Sequence, residues 1–220
     1  MSKKIILLAG PTASGKSKLA IHLAKKMNGE IINADSMQIY KEFTILSSRP
    51  RGSETKKIKH HLYGIVSARK YFSAGDWLKE VKKKVQLCLK KKKIPIIVGG
   101  TGLYFNTVTK GISKIPDIDT KTRNNVRVLF KTLGSKKFYE KLLELDPKIK
   151  DRINPKDSQR MQRAYEVKLK TKKSLFDWFI KTKSDFLDFD LRKVFIDIPR
   201  KDLLPKILNR TELMFKENCL

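Results

Sequence analysis

Long apolar runs are missing from this chain of 220 residues. The first residues are polar, and the run that follows, Ile5-Ile6-Leu7-Leu8-Ala9, is too short for a membrane span or the apolar part of a secretion signal. No membrane partner is therefore expected, and the reading is a cytoplasmic protein. Cysteine is scarce as well: Cys88 and Cys219 stand alone, with no CxxC pair and no metal spacing, which excludes a disulfide framework and fits a reducing cytosol. Of the three histidines, His60 and His61 are adjacent, so on a helix or a strand they point in different directions and do not make a metal pair. Acidic residues are few, 22 against 50 lysines and arginines, for a formal charge of +28. Such a field attracts polyanions and supports binding of nucleic-acid phosphates. The cations are mostly lysine, however, and a lysine-biased composition that only coats solvated faces gives the same sum. Internal repeats are absent.

The length allows one sizeable core with a smaller attached domain. That core is organised around Gly10-Pro11-Thr12-Ala13-Ser14-Gly15-Lys16-Ser17. The loop follows the buried-strand pattern of Ile5–Ala9 and precedes Leu19–Ala24, whose apolar spacing suits a helix. Strand, glycine loop and helix in this order form the P-loop pattern, in which successive backbone N–H groups surround a phosphate at a helix N-terminus. Lys16 then reaches the terminal phosphate and the Ser17 hydroxyl ligates Mg²⁺. A chance glycine turn is the alternative, and eight positions in pattern with both flanks of the right type disfavour it. The loop points to a diphosphate or triphosphate without saying which.

After the first helix, Asn28-Gly29 reads as a stop and Glu30–Ala34 as a second strand ending at Asp35-Ser36. Ligands of open α/β sheets sit beyond the carboxyl ends of the strands, which puts Asp35 beside the phosphate loop. An Asp that merely caps a turn fits the same residues. Ser73 or Asp76 can cap a helix reaching about Leu89, with Trp77, Val81, Val85 and Leu89 as its core stripe and Lys90 to Lys93 offsetting the dipole in its last turn. Ile94–Val98 predicts another buried strand, opening into Gly99-Gly100-Thr101-Gly102-Leu103-Tyr104. From Pro116 the character becomes helical and highly charged, with helices predicted over 120–132, 136–146 and 158–169. Gln159-Arg160-Met161-Gln162-Arg163 opens the third of these; such residues suit phosphates and base edges, and equally a solvated face. Lys193–Ile198 predicts a return to the sheet. A final helix, 201–216, carries Leu204, Leu208 and Phe215 on one side.

Together the P-loop, the block Asp35-Ser36-Met37-Gln38-Ile39-Tyr40, His60-His61-Leu62, the second glycine block and Asp157–Arg163 resemble, in content and order, the tRNA dimethylallyltransferases, also called tRNA isopentenyltransferases. The resemblance covers essentially the whole chain. It implies an α/β fold: a P-loop NTPase-like parallel sheet core over 1–115 and 191–220, with a helical tRNA-binding insertion over 116–190. The implied activity is transfer of a dimethylallyl group from dimethylallyl diphosphate to N6 of the adenine 3′ of the anticodon, a tRNA modification that releases diphosphate. By match to the family's motifs, Asp35, Thr101 and Lys16 are the implied catalytic residues. Gly10, Pro11, Thr12, Ala13, Ser14, Gly15, Lys16 and Ser17 hold the diphosphate, with Mg²⁺ as cofactor on Ser17. Asp35, Ser36, Met37, Gln38 and Thr101 hold the extruded base, and Arg123 with Gln159, Arg160, Met161, Gln162 and Arg163 grips the anticodon arm.

Two departures stand out. Where relatives commonly read Gly-Thr-Ala-Lys-Pro, this chain reads Leu46-Ser47-Ser48-Arg49-Pro50. Family members also continue for several helices past the position of Phe215, so an end truncated relative to them is expected here, with Arg210 at the family's arginine position. A monomer is expected. The competing readings are a small-molecule kinase that uses the P-loop for ATP and a lid of arginines, and an inactive remnant that still binds RNA.

Overall fold

The computed structural model describes residues 3–52, 57–180 and 182–217. Cys219, in the final Asn218-Cys219-Leu220, lies outside the described residues. The chain divides into two compact units, Met1–Thr109 with Ser184–Leu220, and Lys110–Lys183. The second unit begins six residues earlier and ends seven residues sooner than the 116–190 insertion expected from the sequence.

The first unit is built on a parallel sheet of five strands: β1 (Lys4–Ala9), β2 (Gly29–Asn33), β3 (His60–His61), β4 (Ile94–Gly99) and β5 (Asp190–Phe195), in spatial order β3-β2-β4-β1-β5. Alternation along the strands sends side chains to opposite faces. Ile5, Leu7, Ile32 and Ile97 meet Trp77, Val81 and Val85 of helix α2 (Ala74–Lys90) on one face. Ile6, Leu8, Ile31, Ile96 and Val98 meet Ala20 and Ala24 of helix α1 (Lys16–Met27) on the other. Both faces of the central strands are thus covered, which is why they read as continuous apolar runs rather than alternating ones. Of the two caps read, Ser73 or Asp76, the N-cap is Ser73, with a full capping box: Ser73 Oγ accepts from the Asp76 N–H and the Asp76 carboxylate accepts from the Ser73 N–H.

Two expectations are corrected. Lys91 to Lys93 lie beyond α2, not in its last turn: Lys92 is left-handed at φ 55°, and the Lys93 N–H closes onto the Cys88 carbonyl at 2.9 Å. The return strand is Asp190–Phe195 rather than 193–198, because pairing with β1 runs from Lys4↔Asp190 to Ala9↔Phe195. It is an edge strand with Phe195 68% exposed, so its apolar residues mark no core face. Helix α7 (Arg200–Lys216) turns Leu203 inward and leaves Leu204, Leu208 and Phe215 exposed among the described residues.

Two further helices complete the path. Helix α3 (Gly102–Thr109) follows β4 directly. In the second unit, α4 (Thr120–Leu145) contains the expected break, as two helical segments meeting at Gly134, whose φ of 70° and ψ of 173° are not helical. Helix α5 (Ser158–Thr171) and a short helix α6 (Leu175–Phe179) pack with α4 on Phe138, Leu142, Ile149, Met161 and Val167. No helix among the described residues is long and apolar enough to cross a membrane.

The carboxyl ends of β2 and β4 approach so closely that a Cβ on Gly99 stands 2.1 Å from the Ala34 carbonyl oxygen. Gly99→Ala is expected to destabilise the first unit by about 3 kcal/mol. Gly102→Ala, in open space at the start of α3, is expected to be neutral or mildly stabilising. Urea midpoints of the two variants against the parent check the contrast.

Candidate active site

The phosphate loop begins where β1 ends, and its shape follows from its residues. Ala13 (φ 62°) and Gly15 (φ 83°) take left-handed conformations, and Gly15 is the residue before the first turn of α1. The helix therefore opens with Lys16 and Ser17 at its positive end. A Cβ on Gly10 stands 3.1 Å from Ile196 and from Ser14 Oγ, so the turn out of β1 has little room for one. Ser14 Oγ is buried with no hydrogen-bond partner. A phosphate oxygen held by the loop would supply the acceptor that this hydroxyl lacks.

Lys16 bends back so that its Nζ donates to the Pro11 carbonyl. It is half-buried: burial lowers its pKa, the Asp35 carboxylate works against that fall, and Arg210 adds to it. Arg210 of α7 is lowered in turn by burial and supported by Asp35. Two cations from opposite ends of the chain thus share the field of one carboxylate.

Asp35 leaves β2 through an interlocked turn. Its N–H donates to Asn33 Oδ1 at 2.8 Å, its carbonyl accepts from Asn33 Nδ2 at 2.9 Å, and its Oδ1 accepts from the Met37 N–H at 2.9 Å. Asn33 also donates to the Leu62 carbonyl at 3.1 Å, anchoring the turn beyond β3. The second glycine block comes in from β4. The Thr101 N–H donates to the Ala34 carbonyl at 3.1 Å, and Thr101 Oγ1 accepts from the Ser36 N–H at 2.9 Å while donating to Ser36 Oγ at 3.3 Å. An added Cβ on Gly100 would lie 3.9 Å from Asp35 Oδ2. Asp35, Ser36 and Thr101 are therefore contiguous, and Asp35 is electrostatically coupled to Lys16. Behind them Trp77 Nε1 donates to the Asn33 carbonyl at 2.8 Å, and its ring stacks on Tyr104 at 4.2 Å. Burial, then nearby tyrosines and Asp35, pushes the Tyr104 hydroxyl up to about 12, so it stays protonated.

Some residues of this site carried no signal that sequence reading could use. Beside Ser17 lies a cavity of about 350 Å³, lined by Arg49, Arg51 and Arg210 together with Thr44, Leu213 and Met214. Arg51 is paired with Glu217, which also lines the cavity; the remaining cations and the apolar Leu213 and Met214 suit a small anion bearing an apolar group. Arg49 enters the sequence reading only within the Leu46–Pro50 departure. A larger groove, about 470 Å³, lies between Lys82–Lys90 of α2 and Phe186–Phe189; none of the site residues read from the sequence lines it.

The remaining residues read from the sequence belong to the second unit. Arg123 sits in the first turn of α4, and its Nε is buried without a partner. At the start of α5, Gln159 and Arg160 are exposed, Arg160 pairing with Asp157 at 3.3 Å. Gln162 Nε2 donates to the Ser158 carbonyl and Arg163 pairs with Glu166 at 3.4 Å. Met161 is corrected. Its side chain is fully buried in the core of this unit, because Met161, Ala164, Tyr165 and Val167 recur at helical spacing and share the inward face of α5.

Among the described residues, Glu30, His61 and Cys88 form a buried group with metal-ligating atoms within 4.8 Å of one another. His61 Nε2 and Glu30 Oε2 are already hydrogen-bonded at 2.6 Å, and Cys88 Sγ donates to Glu30 at 3.6 Å. Burial pushes the Cys88 thiol up to about 12, so it is a protonated donor and not a thiolate ligand. The group is a self-satisfied clamp joining β2, β3 and α2. Burial works to raise the Glu30 pKa, but His61, Lys91 and Cys88 outweigh it and hold the carboxyl below its ordinary 4.5.

Comparison with known proteins places these features in context. The IPP transferase family model matches residues 38–220. A tRNA dimethylallyltransferase of Pelagibacter ubique is 55% identical over 217 residues, 99% of this chain and 69% of that protein. Its counterpart in Rickettsia felis is 42% identical over 219 residues and is spanned over 71% of its length. Among solved structures, a eukaryotic dimethylallyltransferase acting on tRNA superposes with a TM-score of 0.84 at 30% identity; the match covers 99% of this chain and 54% of that one. The tRNA isopentenylpyrophosphate transferase of Bacillus halodurans gives 0.62 at 29% identity, covering 98% and 67%.

The clamp carries a pH dependence with a definite sign. Because the folded Glu30 carboxyl has the lower pKa, its contribution is present above about pH 4.5 and is lost as pH falls through the folded value. Glu30→Gln is expected to lower stability at pH 7 and to flatten the acid limb of a urea-midpoint profile taken from pH 7 to pH 3. An unchanged acid limb removes Glu30 from that role.

Proposed function

Since this chain belongs to the IPP transferase family, we propose that it transfers a dimethylallyl group from dimethylallyl diphosphate to N6 of the adenine 3′ of the anticodon in tRNA. The observation that carries the reading is the meeting of a phosphate loop, a carboxylate and a threonine hydroxyl at the carboxyl ends of β1, β2 and β4. A kinase reading draws on the loop alone and leaves Asp35, Ser36 and Thr101 without a task.

In this reading the diphosphate sits in the loop, with the Ser14 hydroxyl and Lys16 as donors and the short apolar group toward Leu213 and Met214. The bond between the dimethylallyl carbon and its diphosphate oxygen breaks, and the electron pair leaves with the diphosphate. N6 forms the new bond to that carbon and gives its proton to Asp35. Lys16 and Arg210 stabilise the charge that grows on the leaving oxygen. Desolvation matters here, since half-buried cations act through less water than exposed ones. Mg²⁺ is the cation such a loop implies. It takes oxygen ligands, and the exposed Ser17 hydroxyl on the first turn of α1 is of that kind; when bound, the ion screens the diphosphate.

The adenine must leave its stack to be reached, at a cost of a few kcal/mol. Residues 35–38 and Thr101 receive it. Arg123, Gln159, Arg160, Gln162 and Arg163 hold the anticodon arm, which gives the basic second unit a partner.

Transfer of labelled dimethylallyl from its diphosphate to an anticodon stem-loop tests the reading. Incorporation by the purified chain that disappears when the adenine is replaced is the expected result. Stem-loop binding without incorporation would leave an RNA-binding protein and sink the enzyme. Asp35→Asn is expected to slow transfer about 10²- to 10⁴-fold with stem-loop affinity retained, and Lys16→Ala about 10²- to 10³-fold.

A further inference from the structure

Gln38 has an amide whose polarity is decided by its neighbours. Its Nε2 faces two backbone carbonyls, Ser47 at 2.9 Å and Ser48 at 3.3 Å. Only the NH₂ end of an amide can face two carbonyl oxygens, because the reversed rotamer would set oxygen against oxygen. Both amide protons are thereby engaged. No donor among the described residues meets Oε1, and Gln38 is only half-buried.

The two carbonyls are themselves held. The Ser47 carbonyl accepts a second bond, from Arg210 Nη2 at 3.1 Å, and its residue is buried. The Ser47 N–H donates to the Phe43 carbonyl at 3.1 Å, and Ser48 is left-handed at φ 45° with its N–H on the Ile45 carbonyl at 2.8 Å. The turn is closed by Arg49. Its Nη1 donates to the Tyr40 carbonyl at 3.1 Å and its Nη2 to Thr44 Oγ1 at 2.8 Å, while its backbone N–H reaches the Thr44 carbonyl at 3.1 Å. The guanidinium lies against Gly64, where an added Cβ would stand 1.8 Å from Nη1. The Gly64 N–H in turn holds the Gln38 carbonyl at 3.0 Å. Backbone and side chain of Gln38 are both pinned to one assembly.

Resting on the tRNA reading above, we propose that Arg49 and the Ser47 and Ser48 carbonyls lock Gln38 as an obligate hydrogen-bond acceptor, which selects a base edge carrying an amino donor. Adenine offers its 6-amino group there. A 6-oxopurine offers an acceptor and meets acceptor against acceptor. Gln38 is the specificity-determining side chain, and Arg49 is a positioning residue that acts through the turn without touching the base.

The test compares stem-loops identical but for adenine or hypoxanthine 3′ of the anticodon, with binding to the full chain read by fluorescence anisotropy. The parent is expected to favour adenine about tenfold. Gln38→Met keeps the length and removes this acceptor, with Asp35 still facing N6, and is expected to lower the ratio. Arg49→Ala releases the carbonyls and is expected to lower the ratio too, with Arg49→Lys, which cannot fork to both partners, in between. Thermal melts establish folding; if Arg49→Ala does not fold, Arg49→Lys carries the comparison. A ratio unchanged in folded Gln38→Met and Arg49 variants, or a parent that does not discriminate, overturns the proposal. Failure to bind either stem-loop or to transfer dimethylallyl overturns the tRNA reading itself, a result distinct from binding and transfer that persist with an unaltered ratio.

Discussion

The contact between Gly99 and the Ala34 carbonyl is the constraint on which the site depends. Two parallel strands that end side by side normally diverge into separate loops. Here β4 ends on a residue without a side chain, so its backbone closes onto β2, and the Thr101 N–H captures the carbonyl that the strand would otherwise leave unpaired. Asp35 and Thr101 become neighbours as a consequence. The same closeness lets Thr101 hold the Ser36 N–H, which leaves the Asp35 carboxylate to face Lys16 and Arg210.

The charge arrangement around Asp35 has a physical cost that explains its form. Lys16 and Arg210 repel each other and both lose hydration, yet each gains from the carboxylate between them. In the proposed reading, a bound diphosphate supplies the counter-charge that one carboxylate only partly provides. The orphaned Ser14 hydroxyl has the same character: it is a donor held in place ahead of its acceptor.

Much of the scaffold was legible because its signals are local. The apolar runs of β1, β2 and β4, the Ser73 capping box and the Gly134 break each reside in a few consecutive residues. What escaped is what depends on a distant partner. β3 is two residues long and exists only because Ile31 and Ile32 pair with it. The position of β5 is set by its ladder with β1 and not by the apolar Val194-Phe195-Ile196 run. Met161 and the outward Leu204, Leu208 and Phe215 show the limit of helical periodicity: it identifies a stripe without saying whether a neighbour covers it.

By itself the sequence determined the phosphate loop, the Asp35 and second glycine blocks, and the order of most elements, since backbone conformation at glycine, strand pattern and helix capping are decided by near neighbours. Only the tertiary structure decided that Arg49, Arg51 and Arg210 gather beside Ser17, that Gln38 has its amide turned inward, and that Glu30, His61 and Cys88 close into a satisfied clamp. These are contacts between residues far apart in the chain, and sheet order, not sequence spacing, brings their partners within hydrogen-bonding distance.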